Sequence, residues 1–295
     1  MNNTAPPQRR KQIIGAGEGN LSRLFLFFTL IFLALASSLS LTGCGSGEHA
    51  LVIAGSTSVQ PVMEKIIERY KKSHPGVRIN VEGGGSSAGV MATLTKTAQI
   101  GMCSRELKKQ DEKERQLTAH QIAWDAILII VHPVNPVKAL TIAQLRGIFS
   151  GTIRSWKEVG GPDRPIHLIV REEGSGTRSA FDELIMKEGK TEHEVDAYAL
   201  VQDSMGGIRE VVKGDPQAIG FISMGGKSSD VKPVAVDGVV PTFEAVRTKT
   251  YGVTRPFFLL TIGAPEGLAK EILAYVVSSA TTEIMHEEGL VSVGP

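Results

Sequence analysis

Residues 171–181, Arg-Glu-Glu-Gly-Ser-Gly-Thr-Arg-Ser-Ala-Phe, set an arginine, two carboxylates and a Gly-Ser-Gly-Thr turn before the first turn of an expected helix. Three chemistries use such parts: a nucleophilic serine, a nucleotide loop, or a seat for a free anion. A hydrolase elbow requires G-x-S-x-G, and Glu173 stands where its first glycine belongs. A Walker loop requires a lysine after Gly176, and Thr177 is there instead. A dinucleotide fingerprint begins at Gly174-Ser175-Gly176, but Ser179 replaces its last glycine. The seven histidines and Cys103 show no pair at metal-ligand spacing, and His120, His132 and His167 read as surface or strand-end residues. No nucleophile, base and orienting group assemble, so no catalytic residue, metal or cofactor is expected.

The anion seat has company along the chain. Hydroxyl-rich turns follow expected strand ends at Ser56-Thr57-Ser58, Ser86-Ser87, Ser104 and Ser175-Gly176-Thr177. A lone Ser or Thr before a helix is usually a cap worth about 1 kcal/mol. Gly83-Gly84-Gly85 and Gly174/Gly176 go beyond what capping needs and permit close backbone approach to a ligand. Helix N-termini, neutral hydroxyls and Arg171, whose planar fork suits an oxyanion, describe such a site if the turns converge.

The elements that must bring them together alternate. Leu51 to Ala54 reads as a strand, followed by a helix with Val59, Val62, Met63, Ile66, Ile67 and Tyr70 at helical spacing and Pro61 in its first turn. Val77, Ile79 and Val81 alternate as a strand. A helix with Val90, Met91 and Leu94 precedes the short strand Ile100 to Cys103. Ala126 to His132, Ile166 to Val170 and Ala218 to Ile222 are further apolar strands. The pattern is α/β with largely parallel strands, whose carboxyl ends gather the turns over one crevice. Proline- and glycine-bearing passages at His132–Pro136 and Gly225–Pro233 mark expected crossings between two lobes: 50–130 and 229–295 form one, 131–228 the inserted other.

The N-terminal end has a different character. Arg9, Arg10, Lys11 and Arg23 precede an apolar run from Leu24 to Leu41 that closes on Leu-Thr-Gly-Cys at Cys44. This reads as a secretory signal, residues 1–43, with Cys44 as a lipidated new N-terminus and 44–49 as a tether. Its removal takes away four of the 32 basic residues and one of the 31 acidic ones. The near-neutral remainder argues against a nucleic-acid partner. With Cys44 lipidated, Cys103 has no disulfide partner among the two cysteines, so an ordinary large core must hold the fold.

Gly55-Ser56-Thr57-Ser58, the Gly83–Gly89 loop, Ser104-Arg105-Glu106-Leu107, residues 145–161, the 171–181 stretch, Ala218–Ser223 and Arg255-Pro256-Phe257 together resemble the phosphate-binding lipoproteins of bacterial high-affinity phosphate ABC transporters. The resemblance spans nearly the whole chain after Cys44, in order. It implies the type II periplasmic-binding-protein fold: two α/β lobes, a two-crossing hinge and a ligand in the interlobe cleft. It implies capture of inorganic phosphate without turnover, delivery to a membrane-embedded ABC permease, a palmitate-type anchor on Cys44, an extracytoplasmic location and a monomer. The ligand residues it implies are Ser56, Thr57, Ser58, Ser86, Ser87, Ser104, Arg105, Arg171, Ser175, Gly176 and Thr177, with Glu173 orienting Arg171. Arg105 departs from the best-known branch, where an aspartate accepts the phosphate proton; Glu82, Glu106 and Glu172 are the nearby carboxylates. The rival readings are a receptor for sulfate, molybdate or tungstate, an anion-sensing surface protein, and a phosphatase using Ser175 or Ser104.

Overall fold

The structure is a computed structural model that describes residues 50–294. The expected signal segment 1–43, the tether 44–49 and Cys44 lie outside those residues. Among the described residues no helix is long and apolar enough to cross a membrane.

Sequence periodicity builds the first elements directly. In β1 (Leu51–Gly55) the odd positions are buried and the even ones half-buried. In α1 (Gln60–Ser73) Val62, Met63, Ile66, Ile67 and Tyr70 form the buried stripe, Pro61 occupies the first turn, and Lys71 and Lys72 complement the C-terminal dipole. The remaining long strands are β2 (Ile79–Glu82), β3 (Ile100–Cys103), β4 (Leu117–Val131), β5 (His167–Arg171), β6 (Leu200–Gln202), β7 (Ala218–Ser223) and β8 (Thr254–Ile262).

These strands form one sheet in the order β2-β1-β3-β8-β4-β7-β5-β6, with Lys232–Pro233 and Val291–Ser292 also paired to β4. Its two wings are parallel: β1 with β2 and β3, and β5 with β6 and β7. Its middle is antiparallel, where β8 pairs β3 and β4, and β4 pairs β7. The expectation of a largely parallel sheet therefore holds only for the wings. The parallel reading follows from strand–helix alternation, whereas β4 and β8 are long strands that run on from one core to the next.

Two large cores divide the described residues, with a small cluster of Val90, Cys103, Leu117, Phe258 and Leu260 beside them. One packs Leu51, Ile53, Ile66, Ile100, Ile122, Ala123, Phe257, Ile272 and their neighbours; the other packs Ala126–Val131, Phe149, Phe181, Ile208, Phe221, Val234, Tyr251 and Val253 among others. Phe181 stacks on Phe221 at 4.0 Å and meets Phe149 edge-on at 4.7 Å, filling the centre of the second core. The chain passes between cores inside β4, at Trp124–Asp125, and inside β8, at Thr254–Pro256. The passages expected to cross lie on the second core instead, where Val137, Val231 and Val234 are buried. Pro133–Pro136 is a surface turn closed by Asn135 N–H donating to His132 O. The true passages are continuous strand, which carries no loop composition for a sequence to show.

Candidate functional site

In each parallel wing the carboxyl ends of the strands face one way, so the turns after β1, β2 and β3 meet, as do those after β5, β6 and β7. Gly55, at φ 137°, lets the first turn pack tightly: a Cβ there would lie 2.4 Å from Met102 O. Ser56 N–H donates to Met102 O at 2.9 Å, which fixes the first turn on β3. The second turn uses Gly84 (φ 143°) and Gly85 (φ 91°) to deliver Ser86 to the start of α2 (Ser86–Leu94). Ser104 follows β3 directly, and its N–H donates to Ser86 Oγ at 3.0 Å.

The three turns join through their hydroxyls. Ser56 Oγ donates to Ser104 Oγ at 2.9 Å, and Ser86 Oγ lies 3.3 Å from Ser104 Oγ. Ser56, Ser86 and Ser104 are 2%, 0% and 0% exposed, so these bonds form away from water. Against this cluster stands the turn after β5. Ser58 Oγ is 2.8 Å from Thr177 Oγ1, Arg171 Nη2 donates to Thr57 Oγ1 at 3.0 Å, and Ser87 N–H donates to Gly174 O at 3.1 Å. A Cβ on Gly176 would sit 2.1 Å from Ser86 Oγ and 2.5 Å from Ser104 Oγ, so only glycine permits this approach. The structure thus brings together Ser56, Thr57, Ser58, Ser86, Ser87, Ser104, Arg171, Gly176 and Thr177 from both cores.

Ser175 is the N-cap of α3 (Gly176–Phe181), and its Oγ accepts from Thr177 N–H and Arg178 N–H. The Thr177 amide, expected as a ligand donor, is thus engaged by the cap, as is that of Arg178. Glu173 is exposed and does not orient Arg171. Glu172 does: its Oε2 accepts from Arg171 Nε at 2.8 Å and its Oε1 from Nη2 at 2.9 Å, while Asp203 O accepts from Nη2 at 3.0 Å. The reason is the turn closed by Ser175 N–H donating to Glu172 O, which leaves Glu173 on its outer side.

Arg105 is the larger correction. Its guanidinium is engaged by Glu114, nine residues on, with Nη1 and Nη2 donating to the two carboxylate oxygens at 3.0 and 2.8 Å. Glu114 Oε2 also accepts from Lys108 N–H at 2.7 Å, so the pair folds the segment after Ser104 into a closed loop. Burial works against both charges, but the paired hydrogen bonds win: Glu114 is held below its ordinary value and Arg105 above its own. Among the described residues no hydrogen bond joins Arg105 to the serine cluster.

The arginine that does reach the cluster is Arg255, 1% exposed on β8, whose Nη1 lies 3.3 Å from both Ser104 O and Ser104 Oγ. Asp125 holds it, with Oδ2 accepting from Arg255 Nε at 2.9 Å and Oδ1 accepting from Ser223 Oγ at 2.8 Å and Met224 N–H at 3.1 Å. Burial pushes the Asp125 carboxyl up and the Arg255 guanidinium down, and each pulls the other back. Sequence reasoning missed this pair, yet a signal was present: Asp125 interrupts the apolar stretch Ile122–Val131, and a charge in a buried strand requires a partner.

No hydroxyl of Ser56, Ser58, Ser86, Ser104, Ser175 or Thr177 bonds to a histidine or carboxylate among the described residues, so none has an activating base. No group of three His, Cys, Asp or Glu side chains is placed to hold a metal there. Buried hydroxyls around a braced arginine are the chemistry that suits a small oxyanion.

Comparison with known proteins agrees with this chemistry. Residues 37–280 match the PBP superfamily domain. Phosphate-binding protein PstS of Borreliella burgdorferi is 28% identical over 90% of this chain and 97% of its own, and that of Bacillus subtilis 30% over 88% and 85%. Among solved structures, one described as a phosphate ABC transporter substrate-binding protein from Clostridium perfringens with bound phosphate is 38% identical. It superposes with a TM-score of 0.78 over 83% of this chain and all of its own. An ABC-type phosphate transport receptor from Vibrio cholerae is 35% identical with a TM-score of 0.68, covering 82% of this chain and 99% of its own.

Proposed function

The chain belongs to the PBP superfamily, among the phosphate-binding proteins of phosphate ABC transporters, and we propose that it captures inorganic phosphate outside the cytoplasm and delivers it to an ABC permease. The observation that carries this is the seam between the two cores, where Ser58 meets Thr177 and Arg171 meets Thr57. Arg171, fixed by Glu172, supplies charge; Ser56, Thr57, Ser58, Ser86, Ser104 and Thr177 supply short hydroxyl contacts, with Gly176 allowing close approach. Enclosure between the lobes strengthens each charge-assisted bond by excluding water. The lobes divide at Asp125 and Arg255, and the motion that admits the anion bends β4 and β8 there.

Protonated phosphate also needs an acceptor. Ser56 Oγ donates to Ser104 and accepts from Ser58 N–H at 3.2 Å, which leaves it one lone pair. That lone pair accepts the phosphate proton in this chain, while sulfate, which carries none, sets an oxygen against it. The protein acts without turnover, as a monomer anchored through lipid on Cys44. Equilibrium dialysis of the purified protein against labelled phosphate is expected to give one bound anion per chain, with no release of phosphate from a phosphomonoester. Hydrolysis lost on Ser104→Ala or Ser175→Ala would instead establish a phosphatase. Fatty-acid labelling lost on Cys44→Ala tests the anchor.

A further inference from the structure

We infer that Arg255, held by Asp125, is the second arginine of the anion site and that this pair ties the site to the hinge; the inference rests on the phosphate reading above. Four observations lead to it. Arg255 is 1% exposed and Asp125 0%, so both charges are out of water, and Arg255 Nη1 reaches Ser104 at the centre of the hydroxyl cluster. Its Nη2 is ion-paired with Asp125 Oδ2 at 2.9 Å but, though buried, makes no hydrogen bond. Arg171 has the same feature from the other side, with Nη1 buried and unpartnered. The two guanidiniums are near enough for the charge of Arg171 to weigh on Arg255. Two buried cations, each holding back a donor, suit an anion that takes both.

The pair also stands where the chain changes cores. Arg255 and Asp125 are register partners on β8 and β4, and Ala123 and Ala126 on either side of Asp125 belong to different cores. Pro256 removes a ladder donor next to Arg255, and the register shifts between Phe257 and Phe258, so the ladder is locally interrupted. Asp125 accepts from Ser223 and Met224 at the end of β7 in one core, while Arg255 donates to Ser104 in the other. A rotation of one core against the other must move Asp125 relative to Ser104, and Arg255 with it. Arg255 therefore binds the anion and Asp125 positions it, with full engagement only when the lobes are closed.

The experiment is phosphate calorimetry on wild type, Arg255→Lys, Asp125→Asn and Arg105→Lys, each checked for folding by circular dichroism and for ligand-free melting temperature. Arg255→Lys keeps the charge beside Asp125 but loses the fork, and is expected to weaken phosphate binding by about 30-fold. Asp125→Asn is expected to weaken it about 10-fold with a folded ligand-free protein, and to reduce the compaction on phosphate addition read by small-angle scattering. A structural role alone would lower the melting temperature and leave that compaction unchanged. Arg105→Lys is expected to stay within about 3-fold of wild type. If Arg255→Lys fails to fold, the neutral pair Asp125→Asn/Arg255→Gln gives the same comparison. Wild type and the Arg255 variants binding phosphate equally would overturn this inference alone. A wild type that binds no phosphate would overturn the functional reading and this inference with it.

Discussion

Arg105 and Arg255 both lie beside Ser104, one as its sequence neighbour and one 151 residues away, and their carboxylate partners differ in kind. Arg105 has a carboxylate partner nine residues on, and Glu114 closes both ends of its fork. Arg255 has its carboxylate across the sheet, and Asp125 leaves Nη1 free to meet Ser104 and Nη2 ion-paired but without a hydrogen bond. A buried arginine whose fork is closed by a local carboxylate ties down a loop; one whose carboxylate is shared with Ser223 and Met224 is tied to the end of another strand. Adjacency in sequence pointed to Arg105, but side-chain direction at the end of β3 is set by the fold of the following loop, which turns that side chain to Glu114.

The difference between the two arginines is most sensitive to Glu114. Glu114→Ala leaves Arg105 buried and unpaired, and unfolding by urea is expected to show a loss of about 3–5 kcal/mol. The protein that remains folded should keep phosphate affinity within about 3-fold of wild type. Lost affinity at unchanged stability would put Arg105 in the site. Gly176→Ala crowds Ser86 and Ser104 directly, and calorimetry is expected to show about 100-fold weaker phosphate binding, near 2.7 kcal/mol. Glu172→Gln loosens Arg171 and should weaken binding about 10-fold, near 1.4 kcal/mol. A smaller effect appears only in acid. Because Glu114 is held below its ordinary 4.5, its contribution to stability is complete above that pH and is lost as pH falls through its depressed folded value. Glu114→Gln should flatten that stretch of the acid-unfolding curve. Glu173→Gln should leave binding within about 2-fold, which separates the exposed carboxylate from Glu172.

The hydroxyl turns, the glycines and Arg171 were legible from sequence because strand–turn–helix order alone puts them at the carboxyl ends of parallel strands. Periodicity in β1 and α1 is equally local. What was not legible depends on pairing across the sheet: the antiparallel middle, the passages inside β4 and β8, and the partner of Asp125. The error at Glu173 is of another kind. Arg171, Glu172 and Glu173 are consecutive, and only the turn hydrogen bond from Ser175 N–H to Glu172 O decides which carboxylate faces the arginine.

Closure of the two cores on a protonated phosphate is read by titrating phosphate into the purified protein at neutral pH, with and without a large excess of sulfate. Saturable heat at one phosphate per chain, unchanged by sulfate, is expected. Absence of phosphate heat, or its abolition by sulfate, would contradict it.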